Sequence, residues 1–242
     1  MANLIEIFSS IQGEGKYVGC RQIFIRMAGC NLNCAYCDTN FKSADFCKIE
    51  TSAGSMIIEQ IKNPFTSNEA AAIINQFNSE VPAHSVSFTG GEPLLNWKFI
   101  RGVAKKIKNI GLKIFLETNG TLPEKLAQVI DFIDIISMDI KLPSIGGNYF
   151  DKHREFLKIA VAKDLYTKIV ISDETTQEEF DAAINLIAEV SPEILLILQP
   201  VTPVKKIKAI SAKKILDLQA TALKKLKNVR VIPQTHRLIN IF

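Results

Sequence analysis

Residues 84–120 read HSVSFTGGEPLLNWKFIRGVAKKIKNIGLKIFLETNG, and one structural unit is complete within them. An apolar, β-rich run at 84–89 stops at Gly90-Gly91. A helical pattern then fills 97–110 and ends before Gly111, a residue that readily terminates a helix. A second apolar run follows at 112–117. Strand, helix, strand at this spacing predicts a parallel pair joined by a crossover helix. The pattern repeats outward. Further short strands rich in Ile, Val, Leu and Phe are predicted at 22–27, 134–139, 166–171, 194–198 and 229–233, as expected of strands buried on both faces. Helices are predicted at 68–78, opening on a capping-type Asn68, at 176–190 with Glu178 and Glu179 in the first turn, and at 212–227; Pro123 marks the first turn of another. Roughly six or seven such units fall short of a closed eight-unit barrel, which typically needs about 250 residues. The expected fold is therefore α/β: a partial, open (β/α) barrel of about six to seven parallel strands. No linker or internal repeat divides the 242 residues, so one domain is expected over 1–242, with an irregular insertion near 40–66 that reads as a short hairpin plus helix.

Composition narrows the function. Hydrophobic residues at 47% against 22% charged can bury a sizeable core, which excludes wholesale disorder. Lys+Arg 29 against Asp+Glu 25 gives +4, well short of a dedicated nucleic-acid binder. Lys205, Lys206, Lys208, Lys213, Lys214, Lys224, Lys225 and Lys227 carry much of the excess and read as a solvated face. No apolar run reaches the roughly 18 residues of a membrane span, and the first residues lack the pattern of a signal peptide. A cytoplasmic protein with no membrane partner is expected, and its five cysteines read as ligands or core residues, not disulfides.

The strongest chemical signal is Cys30-Asn31-Leu32-Asn33-Cys34-Ala35-Tyr36-Cys37, in a loop just after a buried strand. Thiolates suit iron–sulfur clusters or zinc. A structural zinc site wants four ligands, and neither Cys20 nor Cys47 offers an obvious fourth; both read as bland. Three thiolates on a four-iron cluster leave one iron open to a small molecule. The other polar clusters follow later strands: Thr89 with Gly90-Gly91-Glu92, Glu117 with Asn119, Asp139 with Lys141 and Ser137 on the same side of the strand, Gln199, and Gln234 to His236. All would collect at the C-terminal end of the sheet, where parallel α/β barrels keep their chemistry. Gly90 and Gly91 let backbone approach a ligand closely. Arg26 lies in an otherwise apolar strand, where an unpaired cation is costly. It reads as a clamp on a substrate carboxylate or as a salt bridge to Glu14 or Glu92.

The cysteine spacing, with Tyr36 before the last thiol, resembles the radical S-adenosylmethionine (SAM) superfamily. The resemblance implies a 4Fe–4S cluster on Cys30, Cys34 and Cys37, whose open iron is chelated by SAM; one electron then yields a 5′-deoxyadenosyl radical. It implies SAM contacts from Gly90, Gly91, Glu92, Glu117, Asn119, Ser137, Asp139, Lys141 and Gln199. Within the superfamily, the Gln12-Gly13-Glu14-Gly15 turn, Arg26, Cys37-Asp38-Thr39, the Thr89 and Glu117 elements and the tail Pro233-Gln234-Thr235-His236 resemble the 7-carboxy-7-deazaguanine synthase family over nearly the whole chain. That family implies ring contraction of 6-carboxy-5,6,7,8-tetrahydropterin with loss of ammonia and regeneration of SAM. It also implies Mg²⁺ held by Thr39, substrate contacts from Ile11, Gln12, Gly13, Glu14, Arg26, Thr89, His236 and Phe242, a reducing partner such as flavodoxin or ferredoxin, and a homodimer. The Asp139-Ile140-Lys141 form, where many relatives carry Ser-Pro-Lys, looks more like glycyl-radical-enzyme activases, the first alternative. A non-catalytic metal-binding scaffold is the second.

Overall fold

The computed structural model describes residues 1–34, 37, 41–203, 209–239 and 241. In chain order its main elements are β1 (Leu4–Ile11), β2 (Arg21–Met27), β3 (Phe46–Glu50), β4 (Ile58–Lys62), α1 (Ser67–Glu80), β5 (Ser85–Gly90), α2 (Trp97–Ile107), β6 (Lys113–Thr118), α3 (Pro123–Leu126), β7 (Ile135–Asp139), α4 (Pro143–Gly146), α5 (Phe150–Ala160), β8 (Asp164–Ile171), α6 (Gln177–Val190), β9 (Leu195–Pro200), α7 (Ala212–Leu223) and β10 (Val229–Val231). They build one ten-stranded sheet in the order β10-β9-β8-β7-β6-β5-β2-β1-β3-β4. From β10 through β2 every pairing is parallel, so all seven predicted strands are present and the barrel stays open.

The strands have two different faces. Ile23, Ile25, Val86, Phe88, Leu116, Ile136, Met138, Ile169 and Leu198 join Ile74, Val103, Phe156, Phe180 and Leu218 of the helices in one core. The alternate residues point inward. Phe115, Ile135, Tyr166 and Ile197 form a small separate cluster that plugs the barrel, with Tyr17 edge-on to Phe115 at 5.9 Å. Each such apolar side chain contributes roughly 1.5–3 kcal/mol by burial. Two residues further along the same strands stand Glu117, Ser137, Lys168 and Gln199. The inward face thus turns from apolar to polar within one strand period, and that change makes the floor of a site.

Three strands lie outside the seven, two of them in the hairpin expected of the insertion. The residues before the Gln12–Gly15 turn, given no strand from the sequence, form β1, antiparallel to β2; its buried Ser9 and Ser10 hide the apolar signal. The insertion gives the antiparallel pair β3–β4, which extends the sheet beyond β1, and its helix starts only at Ser67. Thr66, not Asn68, caps α1 through a reciprocal bond with Glu69. At the other helix boundaries Thr176 caps α6 in the same way, Gly111 takes φ 72°, and Pro123 opens α3. Helix α7 ends at Leu223, short of 227. Lys213, Lys214, Lys224, Lys225 and Lys227 are exposed or nearly so; Lys205, Lys206 and Lys208 lie outside the described residues. Among the described residues no helix is long and apolar enough to cross a membrane.

Candidate active site

A cavity of about 530 Å³ opens at the C-terminal end of the parallel strands. On one wall are Cys30, Cys34 and Cys37. Gly29, at φ 87°, turns the chain out of β2 and donates to Phe41 O at 2.8 Å. The thiols are half-buried; Leu32 N lies 3.4 Å from Cys30 Sγ, and Cys37 N donates to Cys34 O at 3.1 Å. Burial pushes the Cys30 and Cys34 thiols up, and the Lys141 charge pulls both the other way. Among the described residues no three His, Cys, Asp or Glu side chains converge on a single-ion site. A cluster needs no such convergence, because each thiolate takes a different iron. Three soft donors facing one cavity beside a cation that favours their ionised form fit a 4Fe–4S cluster.

The glycine pair is explained by the closeness of two loops. A Cβ on Gly91 would sit 1.9 Å from Gly29 O, and Gly90 has φ 114°. The strand β5 loop therefore lies flush against the cysteine loop, and Glu92 N donates to Gly29 O at 2.9 Å. Glu92 differs from its expected place. It is fully buried and does not line the cavity. Its carboxylate instead accepts from Leu94 N, Thr118 Oγ1 and Asn119 N at 3.0, 2.9 and 2.8 Å. Burial raises it to about 7 against the pull of those bonds. Its position is that of an anchor for the β6 loop.

The remaining residues expected to meet SAM line the cavity together. Glu117 accepts from Thr89 Oγ1 at 2.6 Å and from Gln12 Nε2 at 2.7 Å. Asn119 donates to Asn31 Oδ1 at 2.9 Å, which ties the β6 loop to the cysteine loop. Lys141 Nζ donates to Asp139 Oδ2 at 2.7 Å. Asp139 Oδ1 and Gln199 Oε1 are buried without a partner among the described residues. Buried polar atoms are seldom left so; both belong to residues that line this one cavity.

The same cavity is also lined by Ile11, Gln12, Gly13, Glu14, Arg26, Thr89 and His236. Glu14 accepts from Gln234 Nε2 at 2.7 Å and from Lys168 Nζ. Burial would raise its carboxyl, yet the Lys168 charge and bond hold it at about 2. Arg26 pairs with neither Glu14 nor Glu92. Its Nε lies 2.6 Å from Glu6 Oε1, its strand-to-strand neighbour, and its guanidinium sits 5.8 Å from the Phe8 ring, itself stacked on Phe24. Thr39 and Phe242 lie outside the described residues. Sequence reasoning missed Lys168, Glu6 and Lys48 on the cavity wall. The signal for Lys168 was available: a cation inside an apolar strand, as with Arg26.

The model of the radical SAM superfamily matches residues 24–187. The chain is 43% identical over 241 residues to the 7-carboxy-7-deazaguanine synthase of Geobacter sulfurreducens, covering 98% of this chain and 96% of that protein. It is 38% identical over 249 residues to that of Methanocaldococcus jannaschii, covering 98% of both. Its fold is similar to the crystal structure of QueE from Escherichia coli, with a TM-score of 0.62 at 20% identity and coverage of 97% and 94%. The thiol-lined cavity, the sheet that builds it and these full-length likenesses lead to one statement: the chain belongs to the radical SAM superfamily and, within it, to the 7-carboxy-7-deazaguanine synthase family.

Proposed function

We propose that this chain is a radical SAM enzyme that converts 6-carboxy-5,6,7,8-tetrahydropterin to 7-carboxy-7-deazaguanine with loss of ammonia. The observation that carries this reading is the cavity itself, which is lined both by the cluster thiols and by Arg26, Glu14 and Thr89. Cys30, Cys34 and Cys37 hold the 4Fe–4S cluster. When bound, cluster and SAM supply the electron and the 5′-deoxyadenosyl radical that start the ring contraction.

The protein's own groups orient the reactants. Asp139 and Gln199 offer their unmet oxygens to SAM hydroxyls or amine. Arg26 keeps its Nε on Glu6, and its two terminal nitrogens, without a hydrogen bond among the described residues, face a carboxylate as a fork. Thr89 and Gln12, fixed by Glu117, set the height of the heterocycle above the barrel plug. Thr39 would help hold Mg²⁺, which would neutralise the substrate carboxylate. An electron-donor protein such as flavodoxin or ferredoxin, a cytoplasmic setting, a homodimer and a single working unit over 1–242 complete the proposal.

The test is anaerobic reconstitution followed by incubation with the carboxytetrahydropterin, SAM, reductant and Mg²⁺. The product 7-carboxy-7-deazaguanine is expected, with SAM recovered intact. Deoxyadenosine made without that product would overturn the substrate. Replacing Cys30, Cys34 or Cys37 with Ala should remove the brown colour and all turnover.

A further inference from the structure

Lys168 has no role in the reading above, yet it occupies the middle of the cavity floor. It rises from β8 two residues beyond Tyr166, the plug, so strand periodicity aims it into the site. Its ammonium is hydrogen-bonded to Glu14 and lies 3.8 Å from Asp139 Oδ2. The same Asp139 Oδ2 accepts from Lys141 at 2.7 Å, and Glu14 accepts from Gln234 through its other oxygen. Gln234, Glu14, Lys168, Asp139 and Lys141 therefore form one unbroken row of polar contacts across the floor. Glu14 belongs to the substrate wall and Asp139 to the SAM wall. Two partly buried carboxylates sharing one cation cannot move independently.

We infer that Lys168 is a positioning residue that couples the two ligand sites, by dividing its charge between Glu14 on the substrate side and Asp139 on the SAM side. The inference rests on the function proposed above for the identity of the two ligands. A ligand that takes hold of Asp139 releases Lys168 toward Glu14 and stiffens the substrate wall. A change at Glu14 must in turn reach SAM, since coupling between sites is reciprocal.

The test is equilibrium binding to the cluster-reconstituted enzyme with Mg²⁺, using SAM and the oxidised 6-carboxypterin, which lacks the reactive hydrogen. Lys168→Met is expected to weaken the carboxypterin by about tenfold or more, because Glu14 loses its cation, and to tighten SAM by about threefold, because Asp139 is freed, at unchanged iron content; Lys168→Arg should restore most of both shifts. Glu14→Gln leaves Lys168 wholly to Asp139 and is expected to weaken SAM by about three- to tenfold, although Glu14 stands on the other wall. Wild-type SAM affinity in Glu14→Gln, or in Lys168→Met, would overturn the coupling. Should Lys168→Met fail to take up iron, Glu14→Gln and Lys168→Arg decide between the same two outcomes. Failure of the wild-type enzyme to bind the carboxypterin would count against the pterin substrate, while the SAM titrations would still test Lys168.

Discussion

His153 offers a test of how the site is supported from behind. It lies on α5, fully buried, with Nε2 3.1 Å from Asn119 O. A carbonyl only accepts, so Nε2 carries the proton, and Nδ1 is left without a partner among the described residues. A second proton would have to enter on Nδ1. Burial pushes this imidazole down from 6.5 to about 4; Lys141 adds to the shift, and the Asn119 carbonyl and Asp139 oppose it. The folded state thus binds fewer protons than the unfolded chain. The resulting stability is full above pH 6.5 and is lost as pH falls toward 4. A difference of about 2.5 between those values corresponds to about 3 kcal/mol in all, and to about 2 kcal/mol between pH 7.5 and 5. His153→Leu removes both the titration and the bond to Asn119 O. At pH 7.5 the variant should be about 1–3 kcal/mol less stable. At pH 5 that gap should shrink by about 2 kcal/mol, because only the wild type is penalised by acid. Urea unfolding of the two cluster-free proteins at both pH values measures the gap, and every other titrating group cancels in the difference. A gap constant within about 0.5 kcal/mol, the range of neutral substitutions, would refute the buried neutral imidazole.

Gly91→Ala forces its Cβ onto Gly29 O, so the cysteine loop must shift; misplacement on the scale of an ångström can cost about 100-fold, and SAM titration with iron analysis should register a loss of that order. Arg26→Gln is expected to raise the substrate KM about tenfold or more while leaving SAM affinity unchanged, read by steady-state kinetics alongside a SAM titration. Thr176→Ala removes the cap of α6, and should cost about 1 kcal/mol in thermal unfolding with turnover intact.

The parallel part of the fold was legible because buried strands advertise themselves: each of the runs beginning near Gln22, His84, Leu112, Asp134, Tyr166, Ile194 and Val229 is apolar and closed by a turn. β1 was hidden because its buried Ser9 and Ser10 interrupt the apolar run, and the hairpin could be expected but not bounded because all five residues of β4 are exposed. The cysteine spacing gave the chemistry of one wall. The partners of Arg26 and Glu92 were not legible, since pairing across strands depends on register: Glu6 faces Arg26 only because β1 runs antiparallel beside β2. Lys168 was within reach, but strands read as buried on both faces conceal which alternate residues turn inward.

The backbone of Gly13 accepts both the amide and the hydroxyl of Thr235, 222 positions away. The seam of the open barrel is thus fastened by residues 222 positions apart. Closing so long a loop costs little free energy, since each doubling of length adds only about 0.6 kcal/mol, but contacts of such separation form late. During synthesis the helices and parallel strands can assemble in order as they emerge, while the wall that carries Gly13 must wait for the segment after the last strand. The reactive chamber is therefore the final thing this polypeptide builds, after everything that supports it has already settled.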